Sequence, residues 1–477
     1  MKVAIVHYHF RKGGVTRVVE NTFQAYEKQE DTLLLALSGE SYSGNLIDHH
    51  QVIDGLCYTE SFHDARSIVN EMEQACRKEW GQVPDVWHIH NHSVGKNINF
   101  PQILGLLIER GARIVLQIHD FAEDGRPNNF LQNQKGLNRD QAVLYPISDS
   151  IRYVTNNQGD RYKLIVAGLP LSMVSVLPNP VRPPLFLKES ATKRLSIDTP
   201  FTLYPVRGIR RKNLGEFVFW SCFAEPEEKF LLSLAPENPI ERKPFDNWKQ
   251  FVSKQKLPVV MGGNHSQNFS FPEMMLAARR IITTSIAEGF GFAFIEPWLY
   301  GKPIQGRHIA GISEEFSAAG IALDHLYDRL PVPLDWIGDN FLQQSLTDAL
   351  SKTYASYQLP MNGDSVAKAY SSMVKDQQVD LGRLSEAMQQ TIIKKVLRSA
   401  TARDEIGIPS IPALSEGVSI GAIRKLILEK YSLSSYQVKL EQVYKSIQSP
   451  KGSLQNLNPE SVLRSFFSPE SFSFLRN

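Results

Sequence analysis

Two glutamates eight positions apart, Glu288 and Glu296, bracket the segment Glu288-Gly289-Phe290-Gly291-Phe292-Ala293-Phe294-Ile295-Glu296-Pro297, and Gly301-Lys302-Pro303-Ile304 follows closely. The Gly-Phe-Gly turn exposes backbone N–H groups, and a loop of such groups that runs into a helix N-terminus holds an anion. The spacing predicts Glu288 on the loop and Glu296 about two turns into the helix, with both facing one cleft. A second candidate is the basic run Arg207-Gly208-Ile209-Arg210-Arg211-Lys212-Asn213, directly after the apolar stretch Leu203–Val206. Consecutive bases are usually a solvated turn, but here they stand at the expected C-terminal edge of a sheet. His88, His90 and His92 alternate, so an extended strand would place all three on one face, a spacing compatible with a metal cluster. No convincing carboxylate and histidine partners follow downstream, and no metal is expected. His119-Asp120 ends the next apolar run. Arg11-Lys12-Gly13-Gly14-Val15-Thr16-Arg17 lacks the later Gly-Lys-Ser/Thr of a phosphate-binding P-loop, so an NTPase reading is weak.

The elements that must carry these residues are short apolar runs alternating with longer helical patterns. Val3–Tyr8, Val86–His90, Ile114–Ile118, Leu144–Ser148 and Val174–Leu177 read as strands of a first series. Phe201–Val206, Pro258–Met261 and Arg280–Thr284 read as a second. Such alternation predicts α/β architecture with parallel sheets covered by helices on both faces. The proline cluster Pro178-Asn179-Pro180-Val181-Arg182-Pro183-Pro184 is the expected hinge between the two units. Helical periodicity marks 341–355 and 379–398, with a loop at 407–416. A further helix spans 432–448, with Leu440, Val443, Tyr444 and Ile447 on one face. The serine-, proline- and phenylalanine-rich stretch 449–477 has no legible placement.

With 477 residues, two domains are the natural prior. Hydrophobic content of 42% and charged content of 21% are those of a soluble globular chain. A net charge of +2 argues against a nucleic-acid coat. Cys57, Cys76 and Cys222 are scattered and fit a reducing, cytoplasmic setting. The uncharged stretch Leu164–Val181 is interrupted by Gly168, Pro170, Pro178 and Pro180, so no membrane span is expected. Peripheral membrane contact and the oligomeric state stay open.

The glutamate spacing and its glycines resemble the E-x7-E motif of retaining GT-B glycosyltransferases, family-4-like (group 1). The same family's patterns are matched by Gly13-Gly14 with Arg17-Val18-Val19, by Asp85-Val86-Trp87-His88-Ile89-His90, by His119-Asp120, and by Arg207 and Lys212. Val206 stands where a glycine usually precedes that arginine. The resemblance covers about residues 1–310 and the helix 432–448. It implies a GT-B fold of two Rossmann-like α/β domains facing a cleft, with an extended helical C-terminal region. These would be 1–180 for the acceptor, 181–430 for the nucleotide-sugar donor, and 431–477 as crossover helix and tail.

The implied reaction moves a hexose of glucose or mannose type from a nucleotide diphosphate sugar to an acceptor hydroxyl, with retention. The co-substrate is the nucleotide sugar, and no further cofactor or metal is implied. By the resemblance, His119 and Glu288 grip the sugar, and Arg207 and Lys212 stabilise the leaving diphosphate. Gly13, Gly14, Gly289, Phe290 and Gly291 offer backbone to the donor, and Glu296 accepts from the ribose hydroxyls. The base contact is placed near Gly262-Gly263-Asn264. The polar loop Asp124-Gly125-Arg126-Pro127-Asn128-Asn129 offers Arg126 and Asn128 to a small, possibly anionic, soluble acceptor. A GT-B epimerase or phosphorylase, or a non-catalytic nucleotide-sugar-binding assembly protein, is the alternative.

Overall fold

The computed structural model describes residues 1–184, 200–262, 270–407, 411–449 and 454–476. It forms two compact units: Met1–Arg182 with Glu429–Phe467, and Pro183–Leu428 with Ser468–Asn477.

The first unit is built on a seven-stranded sheet. Its order is His50–Val52, Leu33–Ser38, Lys2–Val6, Val86–His90, Ile114–Ile118, Ile151–Thr155, Val174–Val176, and every pairing is parallel. Side chains alternate across a strand, so Lys2–Val6 feeds two cores. Ala4 and Val6 join Met72, Leu104 and Leu116 on one face; Val3 and Ile5 join Val18, Tyr436 and Leu440 on the other. The helix Leu433–Ser446 closes that second face with Tyr436, Leu440, Val443 and Tyr444. Both faces are therefore apolar, which is why the strands read as unbroken hydrophobic runs.

The expected strand Leu144–Ser148 is a correction. Only Pro146–Ile147 is extended there, and it pairs antiparallel with Gln455–Asn456, apart from the main sheet. Pro146 has no N–H for a central ladder. The place in the sheet belongs to Ile151–Thr155.

The second unit carries a five-stranded parallel sheet, in the order Val259–Met261, Lys229–Leu234, Phe201–Arg207, Arg280–Thr283, Ile304–Gly306. Leu203, Leu232, Ile281 and Ile304 are fully buried, as are Phe217, Phe219 and Trp298 from the flanking segments. A small antiparallel sheet (Pro331–Pro333, Gln378–Asp380, Val374–Lys375) and the helices Asp339–Ser356 and Glu386–Arg398 extend the unit. The helical pattern expected at 379–398 thus opens with the end of a strand and a 3-10 turn, Leu381–Arg383. Ser468–Asn477 belongs with this unit, whereas the segment before it, Glu429–Phe467, belongs with the first.

Both sheets reverse their strand order at one point. It lies between Lys2–Val6 and Val86–His90 in the first unit, and between Phe201–Arg207 and Arg280–Thr283 in the second. Loops leaving the carboxyl ends of such strands diverge and leave a crevice for ligands.

Candidate functional site

At the switch point of the second unit, the two diverging loops bring Lys212 and Glu288 together. Phe201–Arg207 leads into the 3-10 turn Arg210–Lys212, and Arg280–Thr283 leads through Ser285 to Glu288. The Lys212 Nζ donates to Glu288 Oε1, and each side chain is 10% exposed. Arg211 Nη1 stands 3.8 Å from Glu288 Oε2 and donates to the Ala287 carbonyl at 3.1 Å. The turn is fastened from below. The Lys212 carbonyl accepts from Tyr204 Oη at 2.9 Å and from Thr284 Oγ1 at 3.1 Å, and Ile286 N donates to the Arg211 carbonyl at 3.0 Å.

Burial holds the Lys212 ammonium below the ordinary lysine value, with Glu288 pulling the other way. Burial alone would raise Glu288, but Lys212 and Arg211 outweigh it and hold the carboxylate below its usual range. Two cations facing one carboxylate leave one positive charge in surplus at a sheet edge. An anion is the complementary ligand.

Gly289, Phe290 and Gly291 continue the same loop. Gly291 has φ +95°, and a Cβ there would lie 2.7 Å from Ile312 Cγ2, so conformation and space both require glycine. The Phe290 ring packs edge-on against Phe292 and Phe316 and anchors the turn. Glu296 differs from expectation. It is the first residue of a four-residue helix, Glu296–Leu299, preceded by the 3-10 turn Phe292–Phe294, and does not lie two turns inside a helix. Pro297 accounts for this: without an N–H it suits a first helical turn and disrupts an interior.

Arg207 ends its strand and donates to Glu237 Oε1 at 2.8 Å. The base beside Glu288 along with Lys212 is Arg211. In a 3-10 turn successive side chains diverge by about 120°. Arg210 accordingly points away to the Phe474 carbonyl, whereas Arg211 and Lys212 approach different oxygens of Glu288, which a sequence run of bases does not reveal. Of the expected base-contact segment, Gly262 has φ +42°, and Gly263 and Asn264 lie outside the described residues.

In the first unit, His119 follows Ile114–Ile118 and is buried. Its backbone N–H donates to Asn91 Oδ1 at 2.7 Å. Asn156 Nδ2 lies 3.1 Å from His119 Nδ1, and His119 Nε2 lies 2.8 Å from His90 Nδ1. With the amide donating, His119 Nδ1 accepts and its Nε2–H donates to His90. His88 bridges Tyr444 Oη at 2.8 Å and Gln117 Oε1 at 2.9 Å, and its ring stacks on His90. Burial lowers His88 to about 3 and His119 to about 4, so these rings are neutral.

The expected shared face of the three alternating histidines is a second correction. The strand ends at His90, Asn91 turns with φ +56°, and His92 bonds the Leu144 carbonyl at 2.9 Å. Among the described residues no group of three or more His, Cys, Asp or Glu is placed to hold a metal.

Gly13 caps the helix Gly14–Tyr26 in an ordinary extended conformation. A Cβ on Gly14 would meet nothing within 4 Å, so the space before this helix is open. Arg126 donates to Asp120 Oδ1 at 2.6 Å and to the Phe121 carbonyl at 2.7 Å. The supposed loop 124–129 turns helical at Pro127, and Asn128 is an exposed residue of the first turn of Pro127–Leu137. Pro127 at the first helical position explains the early start.

Sequence reading missed a buried triad behind the Lys212 turn. Arg307 donates through Nε and Nη2 to Glu216 and through Nη1 and Nη2 to Asp380. Glu216 also accepts from Asn213 Nδ2 at 2.8 Å, next in chain to Lys212. No short spacing links residues 216, 307 and 380, so only the fold could join them.

No family model matches the sequence. The mannosylglucosyl-3-phosphoglycerate synthase of Petrotoga mobilis is 25% identical over a 516-residue alignment that covers 99% of this chain and 98% of that one. HepE of Anabaena, solved with UDP and glucose, superposes with a TM-score of 0.56 at 13% identity, over 94% of this chain and 100% of that one. A glycosyltransferase from Rickettsia africae superposes with a TM-score of 0.53 at 15% identity, over 94% and 98%. The chain thus has the GT-B fold and is similar along its length to a curated glycosyltransferase.

Proposed function

We propose that this protein is a retaining hexosyltransferase that uses a nucleoside diphosphate sugar and a small anionic acceptor with a free hydroxyl. The observation that carries the reading is the buried Lys212–Glu288 pair with Arg211 beside it, at the switch point of the second sheet. Its surplus positive charge suits a diphosphate, and the Gly289–Gly291 turn that continues the same loop suits the sugar and phosphate oxygens. End-to-end similarity to a phosphoglycerate-glycoside synthase supports the anionic acceptor.

In the proposed reaction the bond from the sugar C1 to the diphosphate oxygen breaks, and the electron pair leaves with the diphosphate. Lys212 and Arg211 stabilise that charge as it develops. The acceptor oxygen bonds to C1 on the same face, and its proton passes to the departing phosphate oxygen. Glu288 orients the sugar and tethers Lys212; Glu296 takes the ribose hydroxyls. The sugar-facing role that the family pattern implies for His119, whose ring nitrogens are both held by Asn156 and His90, requires one of those two bonds to open. Arg207, paired with Glu237 at its strand end, stands apart from the Lys212 and Arg211 cations. The cations needed are side chains, so the reaction requires no resident cofactor.

The test is transfer from UDP-glucose or GDP-mannose to 3-phosphoglycerate and its glucoside, with the product's anomeric configuration read by NMR. The expected product keeps the donor's α-configuration. A β-linked product, or none with either donor, overturns the reading.

A further inference from the structure

The segment Ser468–Asn477 belongs to the second unit although the chain before it belongs to the first. It forms a strap on that unit. Phe472 and Leu475 are buried, and a 3-10 turn spans Pro469–Ser471. Arg383 clamps the strap from below. Its Nε and Nη2 donate to the Phe472 carbonyl at 2.9 and 2.7 Å, and Nη2 reaches the Glu470 carbonyl at 2.8 Å. Phe474 N returns a bond to the Arg383 carbonyl at 3.0 Å.

On its other side the strap meets the Lys212 turn. Arg210 Nη2 donates to the Phe474 carbonyl at 3.0 Å, and Arg210 N donates to Glu241 Oε2 at the same distance. Arg210 opens the turn Arg210–Lys212, so its main chain leads directly to Arg211 and Lys212. A guanidinium bonded to a fixed carbonyl removes one degree of freedom from a turn that must present two cations in one geometry.

We infer that the strap is a positioning element for the donor site. The Phe474 carbonyl holds Arg210 and thereby sets Arg211 and Lys212 for a diphosphate, and Arg210 itself does not touch the ligand. This rests on the proposed donor site.

The test compares diphosphate with nucleoside binding, UDP against uridine and GDP against guanosine, by calorimetry. Four proteins are compared: wild type, Arg210→Ala, the chain ended after Phe467, and the combination. A lost charge-assisted hydrogen bond should weaken diphosphate binding about tenfold in each single variant. Nucleoside affinity should stay within about twofold, because the turn does not serve the base. The combined variant should be no weaker than either alone, since both remove one contact.

Equal loss of nucleoside and diphosphate would mean a merely structural strap and overturn the inference. Additive losses would mean that Arg210 meets the ligand directly, and would overturn it too. Arg210→Ala keeps the strap and decides the matter if the shortened chain does not fold. Wild type that binds neither nucleotide would sink the donor reading, and this inference with it. Binding by wild type with unchanged variants would sink the strap alone.

Discussion

The loops at the switch points of the two sheets solve the burial of polar side chains in opposite ways. At the first, His7, His88 and His90 are stripped of charge: burial takes His7 and His88 to about 3 and His90 well below its ordinary value. At the second, Lys212, Glu288 and Arg211 keep their charges by pairing. The first edge can offer directed hydrogen bonds to neutral groups. The second leaves one positive charge over for a phosphate. The contrast teaches that burial by itself does not assign chemistry; what matters is whether the protein has satisfied the group. The triad behind the second edge makes the same point, because the five N–H groups of Arg307 are all used on Glu216, Asp380 and the Asp328 carbonyl.

Acid should separate the two edges most strongly. The folded values of His7, His88, His92 and His119, about 3, 3, 4 and 4, lie below the unfolded histidine value of about 6.5. Stability from keeping them neutral is complete above that value and is lost as pH falls from about 6.5 towards 4. At pH 4.5 each neutral ring costs about 2.5 kcal/mol. Hydrogen exchange should show Val86–His90 and Ile114–Ile118 losing protection before the strands of the second sheet; the reverse order would break the comparison.

Next in size is Arg307→Ala, which leaves two carboxylates buried without their cation. It should cost about 3–5 kcal/mol of unfolding free energy, read by denaturant titration. A loss under about 1 kcal/mol would show that the triad is not satisfied by Arg307. Glu288→Gln, at the Lys212 pair, should lower kcat about 100-fold to 1,000-fold while the protein remains folded by circular dichroism.

The smallest contrast lies between two arginines. Arg211→Ala should weaken UDP or GDP binding about tenfold, whereas Arg207→Ala, which frees a half-exposed pair with Glu237, should cost less than about 1 kcal/mol in stability. If Arg207→Ala weakens nucleotide binding more than Arg211→Ala does, the family pattern is the better guide to the phosphate cations.

Much of this architecture was legible. Val86–His90 and Ile114–Ile118 were read to the residue, because strands buried on both faces leave continuous apolar runs. The helix Leu433–Ser446 was visible in its apolar stripe. Leu33–Ser38 was not, because its leucines and alanine favour a helix as readily as a strand. The sites split the same way. Motif named Glu288 and Lys212 as candidates, and the structure brings their side chains together. Arg211 and the strap were missed, since the direction of each base in a 3-10 turn and the return of 468–477 to the second unit are set by tertiary packing. Nothing in the spacing of residues 210 and 474 announces their contact.

The central claim is that Lys212 and Glu288 form the anion end of a nucleotide-sugar site. Thermal unfolding of wild type and Lys212→Met, each with UDP and with GDP, tests it most directly. At about a hundred times Kd, one nucleotide should stabilise wild type by about 2.7 kcal/mol. At the same concentration it should shift Lys212→Met far less. Equal stabilisation of both proteins, or of neither, would contradict the account.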